Sequence, residues 1–218
     1  MGGASEVMAA IQDGDAKRLG ELISQDALLA SARDEAGISA VLQACYTRRK
    51  DLLDILLAAR PELDIFEASA LGQTARVRGL LQQDPALAQA WSADGFTPLH
   101  LACFFQQEAL AKLLLDNGAP AGVPAKNPLR VTPLHSAVAA GEFGTVKMLL
   151  KRGAPVNAQQ QGGWTALHAA AHTEDEFMVE FLLEHGADPN LRTEDGRTPA
   201  DMAEEKGSKQ LARRLRQG

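Results

Sequence analysis

Long apolar runs are missing from this chain of 218 residues; nothing approaches the roughly 20 consecutive apolar residues that a membrane-spanning helix needs. Positive charge is in deficit. Lysine and arginine number 22 against 28 aspartates and glutamates, a net charge of −6, which argues against a surface that neutralises nucleic-acid phosphates. Two cysteines, Cys45 and Cys103, are too few for a disulfide framework or, alone, for a zinc site. The opening MGGASEVMAAIQDGD has no basic segment, so no secretory leader is expected, and Glu6 stands where a myristoylation motif wants serine or threonine. No glycine-rich phosphate loop, GxSxG elbow or HExxH pair occurs. Aromatics are scarce too, ten residues or 5% of the chain. What remains, 45% hydrophobic and 23% charged, is ordinary for a globular protein. The expectation is a cytoplasmic, non-catalytic chain with no cofactor and no metal.

What the sequence does have is repetition. Aligning GFTPLHLAC (95–103), RVTPLHSAV (130–138), GGWTALHAA (162–170) and GRTPADMAE (196–204) superposes Thr97, Thr132, Thr165 and Thr198, at steps of 35, 33 and 33. An alanine follows each threonine at +5, and a leucine pair follows the first three at +17 and +18, then a turn: DNGAP, KRGAP, EHGAD. Ser5, Ser39 and Leu63 anchor the same frame with weaker letters, and only the step of 24 from 39 to 63 breaks the spacing. The letters have physical roles. Threonine and serine cap helix N-termini, and Pro98 and Pro133 stand at the first helical position, where a missing N–H costs nothing. Alanine at +5 lets helices approach, and Gly118, Gly153 and Gly186 suit left-handed helix ends. A lone helix pair cannot bury its apolar face, so the units must stack.

TPLHLA (97–102), TPLHSA (132–137) and TALHAA (165–170), with GAPVN and GADPN after the leucine pairs, resemble the ankyrin-repeat signature. The resemblance is carried by motif from about Asp94 onward and by spacing alone before about Gln89. It implies an all-α fold, an α-solenoid of about seven helix-pair units including two caps, with short β-hairpin fingers, all in a single domain of residues 1–218. It also implies a concave face used for protein binding. The short step predicts a missing finger near residue 60, between Pro61 and Phe66. The proline-rich GAPAGVPAKNPLRV (118–131) predicts a distorted one.

The chemistry-bearing residues mostly fall into this frame. Cys45 and Cys103 occupy the same +6 register, next to the close-packing alanine, and read as core. His100, His135 and His168 all stand at +3. Equivalent positions in stacked helices lie about 10 Å apart, too far to share an ion whose ligands sit at about 2.1 Å. The resemblance implies instead that each histidine hydrogen-bonds within its own loop.

The aromatics are what the frame leaves over. In LACFFQQEALAKLLL (101–115), Phe104 and Phe105 point about 100° apart on a helix, so one narrow core stripe does not take both. In the resembled family, −4, −3 and −1 on the finger and +7 and +8 on the first helix vary and form the recognition face. Tyr46, Phe104 and His172 fall at +7, Phe105 at +8, Phe96, Val131, Trp164 and Arg197 at −1, and Leu129 at −3. These nine are the expected partner-binding residues. The partner is expected to be another protein, with no nucleic acid, membrane or small-molecule substrate. The chain is expected to be a monomer, with self-association or a permanently bound regulatory subunit as the alternative.

Overall fold

The structure is a computed structural model and describes residues 2–217. Fourteen α-helices and three short 3-10 turns account for its regular structure, and no strand forms among the described residues. The chain divides into two compact units, Met1–Pro98 and Leu99–Gly218.

In the Met1–Pro98 unit, α1 (Gly2–Asp13), α2 (Ala16–Gln25), α3 (Ala40–Thr47), α4 (Lys50–Ala58), α5 (Ile65–Ala70) and α6 (Thr74–Gln83) follow in order. Each odd-numbered helix packs on the next, α1 also packs on α3, and α2 on α4. Helix α7 (Pro98–Phe104) begins at the boundary. In the Leu99–Gly218 unit come α8 (Glu108–Asp116), α9 (Pro133–Ala139), α10 (Phe143–Lys151), α11 (Ala166–His172), α12 (Glu176–Glu184), α13 (Pro199–Glu205) and α14 (Lys209–Arg216). There α9, α11 and α13 stack as one row, each with its partner helix beside it.

The local reasons are those of the sequence frame. Ser39, Thr132, Thr165 and Thr198 are N-caps whose hydroxyls accept from the amide three residues on. Each such cap is worth about 1 kcal/mol. The +5 alanines Ala44, Ala102, Ala137, Ala170 and Ala203 are at most 1% exposed. Leu56, Leu114, Leu149 and Leu182 are fully buried. Truncating any of them to alanine costs about 2–5 kcal/mol, because packed helices cannot collapse into the space. Gly118, Gly153 and Gly186 sit just past their helices at φ 83°, 82° and 86°.

Three expectations need correction. Ser5 lies inside α1 rather than capping it, because that helix already runs from Gly2. The unit anchored at Leu63 opens one residue later than its anchor: Asp64 caps α5, its carboxylate accepting from the Phe66 and Glu67 amides, while Leu63 is buried. The 63 frame is correct from Ala68 onward, so α5 is simply six residues long where α9, α11 and α13 have seven. Finally, the fingers are turns rather than paired strands. Each is closed by a few backbone bonds, such as Ser92 N–H to the Phe96 carbonyl (2.8 Å) and Thr193 N–H to the Arg197 carbonyl (2.9 Å). One isolated bridge, Arg33 with Ser39, is the nearest approach to a ladder among the described residues.

The link from Ala59 to Asp64 carries no hairpin bond, only the two amides that close α4. The break belongs to a longer period. Asp26 and Asp84, 58 residues apart, both cap a 3-10 turn (Ala27–Ser31 and Pro85–Gln89), each covering a fully buried alanine, Ala30 or Ala88. Gly37 and Gly95 turn the following fingers at φ 89° and 84°. Two unlike units therefore form a block that occurs twice.

Candidate functional site

Each finger of the Leu99–Gly218 unit is fixed from two sides. On one side stand the +3 histidines. The Thr132 and Thr165 N–H groups donate to His135 Nδ1 (3.1 Å) and His168 Nδ1 (3.2 Å), so those nitrogens carry no proton and Nε2 does. The Nε2 proton then goes to a carbonyl of the next finger: His135 to Trp164 (3.2 Å), His168 to Arg197 (3.1 Å). His100 Nε2 meets the Val131 carbonyl at 3.1 Å in the same way. The expectation of bonds within one loop is thus half of the arrangement; the other half joins consecutive repeats. Burial holds all three imidazoles below their ordinary 6.5, His100 at about 4.

On the other side, backbones bond directly. The Gln161 N–H donates to the Leu129 carbonyl and the Glu194 N–H to the Gly162 carbonyl, both at 2.8 Å. Gly163 makes this approach possible. Its φ is +77°, and a Cβ there would meet the Thr193 and Glu194 backbone at 3.0 Å.

On this scaffold Phe104 is 42% exposed and its ring meets Phe105 edge-on at 5.0 Å; Phe105 is half-buried. Leu129 is 49% exposed at a finger tip, and Val131 is half-buried behind it. Trp164 is half-buried, with its ring against His168 at 6.1 Å and edge-on to His172 at 5.6 Å. Arg197 pairs with Asp195 (2.6 Å) and Glu205 (3.1 Å). His172 Nδ1 and Arg197 Nε are both buried without a hydrogen-bond partner, a state that costs about 1–3 kcal/mol per group. In the Met1–Pro98 unit, the Tyr46 hydroxyl donates to Asp94 (2.6 Å); burial, and after it this bond, raises its pKa, and Phe96 is half-buried. Tyr46 therefore also serves its own unit, holding a finger to α3.

Sequence reasoning missed one aromatic group. Phe143 of α10 packs on Phe177 (4.7 Å) and Phe181 (4.6 Å) of α12, and Phe181 stacks on His185 (4.1 Å). Phe177 is 65% exposed. These residues lie on second helices, outside the variable register; the spacing of 34 between Phe143 and Phe177 was the available signal.

The remaining chemistry is quiet. Burial pushes the Cys45 thiol up to about 12 and the Cys103 thiol higher still, which removes the thiolate that a nucleophile or metal ligand requires. Among the described residues no three His, Cys, Asp or Glu gather as metal ligands, and no helix is long and apolar enough to cross a membrane.

Comparison with known proteins agrees with the fold. The chain is 36% identical to a transient receptor potential cation channel subfamily A member 1 homolog of Caenorhabditis elegans, over 70% of this chain and 12% of that protein. It is 33% identical to the SMC5-SMC6 complex localization factor protein 1 of Bos taurus, over 42% of this chain and 10% of that one. The chain thus spans about a tenth of the length of the curated relatives it matches. A profile of ankyrin repeats in three copies matches residues 65–160 and 134–218. With the capped helix pairs, the +3 histidines and the finger turns in place, the chain belongs to the ankyrin-repeat family.

Proposed function

We propose that this chain is a non-catalytic protein-binding module of about seven helix-pair units in one domain, taking its partner on the variable-register face of the Leu99–Gly218 unit. Ankyrin repeats are protein-interaction modules, which supports the class of function. The observation that carries the choice of face is the exposure of Phe104. Four large apolar residues are left exposed among the described residues, and two of them, Phe104 and Leu129, fall on that register. Interfaces favour such residues because a buried ring contributes large apolar area and few lost rotamers. Phe105, Val131, Trp164, His172 and Arg197 flank them; Tyr46 and Phe96 are the corresponding contacts of the Met1–Pro98 unit. The two unpaired, buried thiols suit a reducing compartment, so the module acts in the cytoplasm.

Phe104→Glu tests the reading. Phe105 is half-buried and is left alone, so the fold loses about 0.5 kcal/mol or less, as for other surface changes. Partner binding loses about 2 kcal/mol or more, roughly thirtyfold in Kd, as for other central aromatics. Capture of the partner from native lysate falls accordingly, with the melting curve unchanged. Undiminished capture, or an unfolded variant, refutes the choice of face. Light scattering over a concentration series separates a foreign partner from a second copy of the chain.

A further inference from the structure

Acidic side chains outnumber basic ones in this chain, yet they avoid one part of it entirely. Residues 99–107, 117–141 and 153–173 contain none of the 28 aspartates and glutamates. Those stretches supply the first helices α7, α9 and α11 and the fingers that lead into α9 and α11. The carboxylates of these repeats stand instead on or at the start of the second helices, as Glu108, Asp116, Glu142, Glu176 and Glu184 do. Apart from histidines, the only basic residues in the three stretches are Lys126 and Arg130, both on the finger that carries Leu129.

Arg130 is the informative residue. It stands at −2, where Gly95, Gly163 and Gly196 turn the other fingers at φ 84°, 77° and 85°. Arg130 takes the same left-handed conformation, at φ 51°, and so carries a strain that glycine avoids. Arginines on the other fingers are tied down. Arg33 donates to the Gly37 carbonyl (3.1 Å), Arg192 donates to the Gly196 carbonyl (2.6 Å), and Arg197 pairs with Asp195 and Glu205. The Arg130 side chain is exposed and its guanidinium meets no acceptor among the described residues. Its backbone, by contrast, is fixed. The Arg130 N–H donates to the Asn127 carbonyl (3.1 Å), the Leu129 carbonyl accepts from Gln161 (2.8 Å), and the Val131 carbonyl faces His100 Nε2 (3.1 Å). A cation is thus held out from a rigid tip, beside an exposed leucine, at a position where the fold would be better served by glycine.

The neighbouring side chains indicate what this cation meets. Phe104 and His172 stand at +7 of their repeats, and the repeat between them has Ala139 there, exposed. A low floor therefore lies between rings, with Trp164 edge-on to His172 on one side. Such a floor suits apolar side chains, a guanidinium forks onto a carboxylate, and stretches without carboxylates present no repulsion to one. We propose that this face takes an acidic, apolar segment of the partner protein, its apolar side chains laid over Ala139 and one carboxylate on the Arg130 guanidinium. The proposal rests on the protein-binding reading above and adds the charge of the partner and the residue that selects it.

The test presents random peptides displayed on phage to the full chain, and the enriched sequences are synthesised and titrated by calorimetry. Enriched peptides carry aspartate or glutamate beside leucine, phenylalanine or tryptophan. Arg130→Gly, which restores the residue of the other fingers, melts at or above the temperature of the unaltered chain. It weakens those peptides about tenfold or more, the scale of a charge-assisted hydrogen bond. Changing the peptide carboxylates to amides one at a time identifies the one on Arg130: its loss weakens binding to the unaltered chain and leaves binding to Arg130→Gly as it was. No enrichment, enrichment without acidic residues, an unchanged Kd in Arg130→Gly, or a less stable Arg130→Gly overturns the proposal. If Phe104→Glu weakens the peptides and Arg130→Gly does not, only this anchor falls. If Arg130→Gly weakens them and Phe104→Glu does not, the anchor stands and the choice of Phe104 made above falls.

Discussion

Acidification from pH 7 to pH 5 should weaken this fold through its histidines, before its carboxylates are affected. Burial holds His100 at about 4 against an ordinary value of 6.5. The unfolded chain takes up a proton below 6.5 and the folded chain does not, so stability is lost as pH falls through 6.5, and the loss levels off near 4. For those two values the difference between pH 7 and pH 5 comes to about 2 kcal/mol from His100 alone. His135 and His168 are lowered in the same direction and add to it. The geometry gives the reason: the acceptor nitrogens of His135 and His168 already face the N–H of their threonines, and a proton there would set donor against donor. The carboxylates with lowered values, Asp51, Asp116, Asp195 at about 2 and Asp201, withdraw their contribution only below their ordinary 3.8, outside this window. Urea unfolding at pH 7, 6 and 5 measures the effect. His100→Gln should begin less stable and lose about 2 kcal/mol less over the same interval, since its side chain does not titrate. A stability flat from pH 7 to pH 5, or an undiminished slope in His100→Gln, would refute the reasoning.

Two further stability tests follow from the packing. Cys103→Ser should cost about 1–3 kcal/mol in denaturant melts, because a hydroxyl replaces a thiol that is 1% exposed with no polar group called for; an equally stable variant would mean the pocket is wetter than described. Gly163→Ala should destabilise by more than Gly118→Ala, although both have positive φ. The first sets a Cβ 3.0 Å from the next finger's backbone, whereas the second meets nothing within 4 Å and costs only the left-handed strain of about 1 kcal/mol. Equal losses would show that the finger contact yields.

Much of this architecture was legible because it is local. The caps at Thr132 and Thr165, the alanines at +5 and the terminating glycines each act within a few residues of their own position, so spacing alone identified them. What lay 29 to 31 residues away was harder to see. The Nε2 bonds to Val131, Trp164 and Arg197 use backbone carbonyls, which leave no mark in the letters of the residues that supply them. The frame from Ala68 onward places its anchor at Leu63, where Thr132 and Thr165 stand in theirs, yet leucine has no side-chain acceptor; Asp64 beside it has one and caps the helix. Phe143, Phe177 and Phe181 fall outside the variable register, which covers fingers and first helices only. Their packing across α10 and α12 depends on how second helices align, which the motif letters do not record.

The histidine bonds also separate two demands that usually compete. The residue at −1 of each finger is held by its carbonyl, and the imidazole is indifferent to which side chain that residue bears. Valine, tryptophan and arginine occupy the position in three successive repeats with the same bond of 3.1–3.2 Å. Selection for a new partner can therefore rewrite these side chains while the fastening beneath them stays intact. A surface anchored through its main chain can change its specificity with little loss of rigidity.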